Sequence, residues 1–435
     1  MIHEGSTECA PAGVDIFSPP CTQTAIAKRS KVDFYPVATL SDLGPLEFAI
    51  PATEDDYWDL NDHCLEIKFK IVKQEDGANV GAEDKVAPVN FLLHSLFRQV
   101  DLHLNGKLVS TAYTSYPYKA YVEKQLNYDK NVKETQFGCE LYAKDEAGKM
   151  DDHDPTVAVA NSGLKQRFEY TKNGNTVTLR GSLHIDFLRQ ERLLLNQVDI
   201  RIKLSPNKPD FFLMTTEADK YTLKMVSARL EMVKVGLHPS VLNGNNQALS
   251  TKNAKYPMRR TEIKTFTIPR GDMHVVKENM FSGQMPRRIV IGILESDAYH
   301  GNSKKCPFNF KNFNLNYVCA FVDGERFPSR ALTPNFAAND YLEVYETLFT
   351  GNGIKNDLRT IDITRAEYPN GYSLIIIPFC PSEPDSVGFD LINNGTLRLE
   401  MKFAEALTSS ATVLVYAEFD SVLEINKDRQ IVLDH

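Results

Sequence analysis

Over most of this chain apolar and charged side chains take turns, a period of two that puts one set on each face of a β-sheet. In "LEIKFKIV" Leu65, Ile67, Phe69 and Ile71 stand against Glu66, Lys68 and Lys70. "VDIRIKL" repeats the design with Val198, Ile200, Ile202 and Leu204, and "TLRLEMKF" with Leu397, Leu399, Met401 and Phe403. The alternation begins near Val32. Residues 1–31 are rich in Ser, Thr, Pro and Ala, lack any hydrophobic period, and are predicted to form an arm without its own core. Asn105-Gly106 and Asp323-Gly324 tolerate the positive φ of tight hairpins, and Asn173-Gly174 and Asn370-Gly371 add two further turns. Helical spacing is confined to two places. In "YPYKAYVEKQL" Tyr118, Tyr121, Val122 and Leu126 share a face behind Pro117, which suits a first helical position. In "NDYLEVYETLF" Tyr341, Val344, Tyr345, Leu348 and Phe349 share a face, with Asp340 and Glu343 spaced as a capping box.

These elements occur twice in the same order. "FRQVDLHLNGKLVS" (97–110) reads like "NYVCAFVDGERFPS" (316–329), and a tyrosine-led helix follows each. "LEIKFKIV" corresponds to "RRIVIGIL" (287–294), "VNF" around Asn90 to "FNF" around Asn309, and "GSLHIDF" (181–187) to "GYSLIIIPF" (371–379). "LNQVDIRIKL" then matches "NNGTLRLEMKF", and "VSARLEMVKV" (226–235) matches "TVLVYAEFDSVLEI" (412–425). The prediction is an all-β chain of two tandem eight-stranded antiparallel jelly rolls with a few short helices in loops. Their limits are residues 32–238 and 239–427, with a C-terminal tail at 428–435. Eight antiparallel strands with long connections protect their edges best in a jelly roll; an immunoglobulin-like sandwich is the alternative, with shorter loops. Strands of the second copy, such as "RIVIGIL" and "SLIIIPF", are apolar on both faces. A layer from the first copy or a neighbouring subunit is expected to cover them.

Composition narrows the function. At 435 residues the chain exceeds what one core usually supports, and 42% hydrophobic with 24% charged residues is ordinary for a soluble globular protein. The longest apolar runs are far short of a membrane span, and no basic start followed by an apolar core predicts a secretory signal. A net charge of -8 argues against wrapping nucleic acid, and "KRSK", with Lys28, Arg29 and Lys31, reads as a solvated face or a contact with an anionic surface. Seven scattered cysteines without a Cys-x-x-Cys pair predict reduced thiols. There is no His-x-His, His-Glu-x-x-His, Gly-x-Ser-x-Gly or phosphate loop, so no enzyme, metal or cofactor is predicted. His94 with His103, the acidic loop "DDHDP" (151–155), and Trp58 beside Glu54, Asp55 and Asp56 are the rival sites. Each also reads as ordinary structure: a polar strand face, a solvated loop and a packing anchor.

The runs "GPLEFAIPATEDDYWDLNDHCLEIKFKIV" (44–72), "APVNFLLHSLFRQVDLHLNGKLVS" (87–110) and "YPYKAYVEKQLNY" (116–128) resemble the major capsid proteins of adintoviruses and of Polinton or Maverick elements. That lineage is similar in architecture to the adenovirus hexon. The resemblance covers roughly residues 32–130, and the tandem repeat carries it further. It implies a homotrimer whose six jelly rolls make a pseudo-hexagonal capsomer of an icosahedral shell around double-stranded DNA. It also implies penton and minor capsid partners, assembly inside the host cell or its nucleus, and no sequence-specific binding of nucleic acid. The irregular stretches near 129–175 and 343–368 are then expected at the capsomer top or at subunit seams, together with Tyr118, Tyr121, Tyr341 and Tyr345. The arm with Lys28, Arg29 and Lys31 is expected on the inner side. A tandem carbohydrate-binding module and a non-assembling cellular descendant of a capsid gene are the other functions considered.

Overall fold

The computed structural model describes residues 13–17, 19–41, 43–110, 114–157, 160–217, 220–355, 360–381 and 388–433. Its first sixteen principal strands fall into two sets of eight. The first set is β1 (Ile26–Phe34), β2 (Leu46–Ile50), β3 (Tyr57–Lys73), β4 (Phe97–Leu104), β5 (Lys107–Leu108), β6 (Val177–Gly181), β7 (Ile200–Pro206) and β8 (Tyr221–Leu237). The second is β9 (Ala254–Ile268), β10 (His274–Gln284), β11 (Arg288–Glu295), β12 (Leu315–Val322), β13 (Glu325–Leu332), β14 (Leu374–Pro378), β15 (Asn394–Phe403) and β16 (Ala411–Ile425). The first set forms sheets ordered β1-β8-β3-β6 and β2-β7-β4-β5; the second forms β9-β16-β11-β14 and β10-β15-β12-β13. Adding eight to each strand number of the first roll gives the sheets of the second, so the chain is two tandem jelly rolls. Helix α3 (Pro239–Leu249) lies between them; α1 (Tyr116–Asn127), α2 (Ser162–Thr171) and α4 (Leu342–Thr350) lie within the two longest connections.

Alternation does the sorting. Leu65, Ile67, Phe69 and Ile71 are buried in the sandwich, while Glu66 and Arg229, paired across β3 and β8, look outward. Each large side chain so buried contributes about 1.5–3 kcal/mol, which is why register along the long β3–β8 pair is firmly specified. Asn105 and Gly106 take φ of 46° and 74°, and Asp323 and Gly324 take 49° and 91°. Both hairpins thus have two successive positive-φ residues, matching the right-handed twist of the strands they join.

Several expectations shift. β1 begins at Ile26, so Lys28, Arg29 and Lys31 belong to a strand paired along β8 rather than to the arm; residues 1–12 and 18 of that arm lie outside the described residues. The tail folds back: Ile431–Leu433 (β17) pairs with β16, and residues 434–435 lie outside the described residues. The sixth strand is "VTLRG", a few residues ahead of "GSLHIDF", whose Leu183 and Ile185 are buried from irregular backbone and Phe187 from a short 3-10 turn over Asp186–Arg189. Asn370-Gly371 forms a short strand with Phe310–Lys311 instead of a hairpin turn. Asp340 is no helix cap: α4 starts at Leu342, and the Asp340 backbone exchanges hydrogen bonds with Asn335.

The uniformly apolar strands of the second roll are covered from within the chain. Tyr416 of β16 meets Glu123 of α1, Thr261 of β9 meets Asp186 of the first roll, and α4 lies against β14. The equivalent sheet of the first roll instead shows solvent a ladder of cross-strand pairs: Arg180–Glu66 (2.9 Å), Arg229–Glu66 (2.7 Å), Arg229–Asp33 (3.0 Å) and Lys31–Glu231 (2.6 Å). One sheet pattern thus serves two environments, and the sequence distinguishes them by which face carries charge. At Gly292 of β11 a Cβ would lie 2.4 Å from the buried Phe310 ring. Gly292→Ala is expected to cost about 1–3 kcal/mol by overpacking, measured by urea unfolding; an unchanged midpoint would contradict that packing.

Candidate functional site

The seam between the rolls is organised by α1. Pro117 sits in its first turn and every residue from Tyr116 to Leu126 is buried, the polar ones included. The predicted apolar face meets the second roll: Tyr121 stacks on Phe308 (4.4 Å) and Tyr118 on Tyr299 (5.3 Å). Tyr118 and Tyr121 therefore anchor an interface inside the chain, not an exposed one. Tyr341 and Tyr345 stay within their own connection, donating to Arg365 O and Ile363 O.

The other face of α1 is ionic, and its burial controls its chemistry. Lys124 pairs with Glu140, whose Oε2 lies 3.2 Å from His94 Nε2, while His94 Nδ1 meets Tyr116 OH at 3.0 Å. Burial opposes ionisation of Glu140, but His94 and Lys124 outweigh it and hold the carboxyl below its usual range. Burial, helped by Lys124, takes His94 down to about 4. Its ring stands 4.7 Å from that of His184, whose pKa burial and Arg189 also hold well below the ordinary imidazole range. Arg189 Nη2 donates to His184 Nδ1 (2.6 Å), and Glu123 Oε2 lies 2.5 Å from the same nitrogen. Burial raises the pKa of Glu123 against the pull of Arg189 and Lys119.

From Glu123 the network crosses to the second roll. Tyr416 OH lies 3.4 Å from Glu123 Oε1 and donates to Glu418 Oε1 (2.9 Å), and Arg288 grips both oxygens of Glu418 at 2.8 Å. Asp186, paired with Lys119, accepts from Thr261 N (2.9 Å). These groups line a cleft of about 740 Å³ between the rolls.

The two long connections also interlock. Lys144 of the first pairs with Asp362 (3.0 Å) and Glu367 (2.9 Å) of the second, and Tyr372 OH donates to Asp145 O (2.7 Å). Arg167, wholly buried in α2, reaches Pro88 O, Ala143 O and Asp145 Oδ1. The repeat anchors serve the same contacts: Asn90 Oδ1 accepts from Phe91 N and Ala143 N, and Asn309 Nδ2 donates to Asp151 Oδ2 (2.8 Å). The first hairpin holds the tail, with Asn105 Nδ2 donating to Arg429 O (2.8 Å) and Lys107 Nζ to Ile431 O (3.0 Å); Gly106 and Gly324 act through their backbone alone.

The rival sites resolve into structure. Asp151 is held by Asn309 and Lys311, and Asp154 by Lys85 (2.6 Å). Trp58 is buried edge-on to Phe34 at 5.8 Å, unavailable to a sugar. His94 pairs with His184 rather than with His103. Among the described residues no group of three or more His, Cys, Asp and Glu is placed to hold a metal, and no helix is long and apolar enough to cross a membrane. Cys21, Cys64, Cys139, Cys306 and Cys319 are free thiols, and Cys9 lies outside the described residues. On β1, Arg29 pairs with Asp59 (2.9 Å) and Asp62 (2.8 Å), so its charge is spent within the first roll. What this geometry provides is cohesion: two rolls fused through a buried, proton-sensitive seam, with their outer surfaces left for other contacts.

No family model matches the chain. The uncharacterized protein F54H12.2 of Caenorhabditis elegans is 26% identical over 408 residues, covering 90% of this chain and 93% of that one. Among solved structures, a chain of the Sputnik virophage cryo-EM structure is similar with a TM-score of 0.63 at 12% identity, covering 99% of this chain and 93% of that one. The Faustovirus major capsid protein is similar with a TM-score of 0.59 at 9% identity (94% and 92% covered). The mavirus major capsid protein has a TM-score of 0.57 at 12% identity (99% and 95% covered). At such identities the likeness establishes the fold, the double jelly roll.

Proposed function

We propose that this chain is a major capsid protein: three copies form a pseudo-hexagonal capsomer, and capsomers tile an icosahedral shell around double-stranded DNA. The observation that carries this reading is the strand-for-strand duplication of one eight-stranded roll, the copies joined in sequence near residue 239 and fused across the buried seam at α1. Two like rolls per chain let a threefold oligomer present six nearly equivalent sides. The likeness in fold to virophage, Faustovirus and mavirus capsid chains supports it. The motifs at 44–72, 87–110 and 116–128 support the finer assignment to the adintovirus and Polinton lineage. In this reading the protein is a structural component of the virion, assembled inside the host cell, with penton and minor capsid proteins as partners and no catalytic role. The nematode relative also favours a second reading, a cellular descendant that keeps the fold and the trimer without building particles.

Light scattering on the purified chain tests both. Either reading gives a mass of about 147 kDa, three times 49.1 kDa. Closed shells in negative stain then single out the first reading, and free trimers at every protein concentration and ionic strength the second. A stable 49.1 kDa monomer would contradict both.

A further inference from the structure

The contact between rolls within one chain is a template for a contact between chains. In the first roll, the connection from β6 to β7 is tied to β3 through the Trp58–Leu194 backbone pair and also lies on the start of β9. Gln190 Nε2 donates to Pro257 O (2.9 Å), Tyr256 OH donates to Leu193 O (3.2 Å), and Phe187 meets the Tyr256 ring at 5.6 Å. In the equivalent connection of the second roll, between β14 and β15, Phe389 is 49% exposed and lines the cleft between the rolls, while Leu391 and Ile392 stand 90% and 63% exposed. The segment is nonetheless anchored, by the Arg287–Asp390 ion pair (2.9 Å) and by Met285 N donating to Asn393 O (2.8 Å). Leu391 and Ile392 are thus exposed on an anchored segment.

The counterpart of the start of β9 is the start of β1. Ala254 opens β9 opposite Ile425 at the end of β16, as Ile26 opens β1 opposite Leu237 at the end of β8. There too apolar side chains stand in water: Ile26 is exposed, and Ile16 and Phe17 precede it at 75% and 91% exposure. Apolar groups gathered on two segments, rather than scattered singly, mark interaction sites. Each of the two segments occupies a position that the duplication fills on the other roll.

We propose that Leu391 and Ile392 of one copy pack on Ile16, Phe17 and Ile26 of the next, repeating between chains the contact that the β6–β7 connection makes within one. The contact joins two different patches, so it is heterologous, and three copies close it into a ring. It rests on the trimer proposed above and specifies its seam.

Two experiments on the full chain test it. Leu391→Asp, at a side chain with almost no contacts to lose, raises the concentration at which the trimer dissociates by about tenfold or more, with the thermal midpoint of the monomer unchanged. In a background with Cys21→Ser and Cys139→Ser, Leu391→Cys combined with Ile26→Cys gives disulfide-linked species of two and three chains under mild oxidation, and neither single variant does. A trimer by light scattering that shows no interchain link and is untouched by Leu391→Asp overturns this seam and leaves the trimer standing. A wild-type monomer overturns the trimer and the seam together.

Discussion

Arg288→Ala is expected to lower the free energy of unfolding by about 3–5 kcal/mol, among the largest effects of any single substitution in the chain. Arg288 holds both oxygens of Glu418, and both side chains are about nine-tenths buried at the seam. Burial alone favours the neutral form of Glu418; the guanidinium reverses this and keeps the carboxyl below its ordinary range. Without Arg288 the seam holds a buried carboxylate bonded by Tyr416 OH and facing Arg259, or must protonate it. Removing the whole pair is gentler: Arg288→Met with Glu418→Leu is expected to lie within about 1–2 kcal/mol of the parent, because the desolvation cost leaves with the charges. Urea unfolding of the three proteins at neutral pH checks this. A single variant no worse than the double would show that the pair is not desolvated as described.

Acidification from pH 7 to 4.5 is expected to weaken the fold progressively, and the seam first. His63 and His94 are drawn down to about 4 in the folded chain, chiefly by burial, and His184 is drawn well below its ordinary value. In the unfolded chain each titrates near about 6.5. Between those values the unfolded state binds more protons, so stability is fully present above about 6.5 and is lost as pH falls, by up to about 1.4 kcal/mol per unit for each histidine. Lys133, bonded to Gln125 O and Oε1 and drawn down to about 7 chiefly by burial, has the same sign at higher pH. Glu123, raised by burial, works in the opposite direction and offsets part of the loss. Protonating His94 and His184 would put two more cations beside Lys124, Arg189 and Lys119. Hydrogen exchange of α1 and of Asp186–Arg189 is therefore expected to accelerate before that of β16. Denaturation midpoints that stay level from pH 7 to 5 would contradict the buried neutral histidines.

How far the sequence carried the reading depends on the range of the interactions involved. Period-two stretches such as Leu65–Ile71 and the two Asx-Gly hairpins are local consequences of pleat and turn geometry, and they lie where expected. Order alone exposed the duplication, although long connections differ between the copies. What escaped was set at a distance. Lys119, Glu123 and Lys124 read as the wet face of an amphipathic helix, and only the approach of Glu140, His184, Arg189 and Asp186 from other segments makes burying them tolerable. β1 looked like an arm because its outward face is nearly all charge; its register comes from β8, whose Glu231 and Arg229 supply the partners. The sixth strand was misplaced because Leu183, Ile185 and Phe187 alternate as a strand would but bury from irregular chain and a short 3-10 turn.

The most direct test of the central claim is cryo-EM class averages of the purified assembly viewed down its symmetry axis. The account predicts a ring of six lobes with threefold symmetry, each chain contributing two adjacent lobes joined through α1, and Leu391 and Ile392 of one chain seated beside Ile26 of the next. A single pair of lobes with both apolar segments facing solvent, or an oligomer in which the two rolls are not neighbours in one ring, would contradict it.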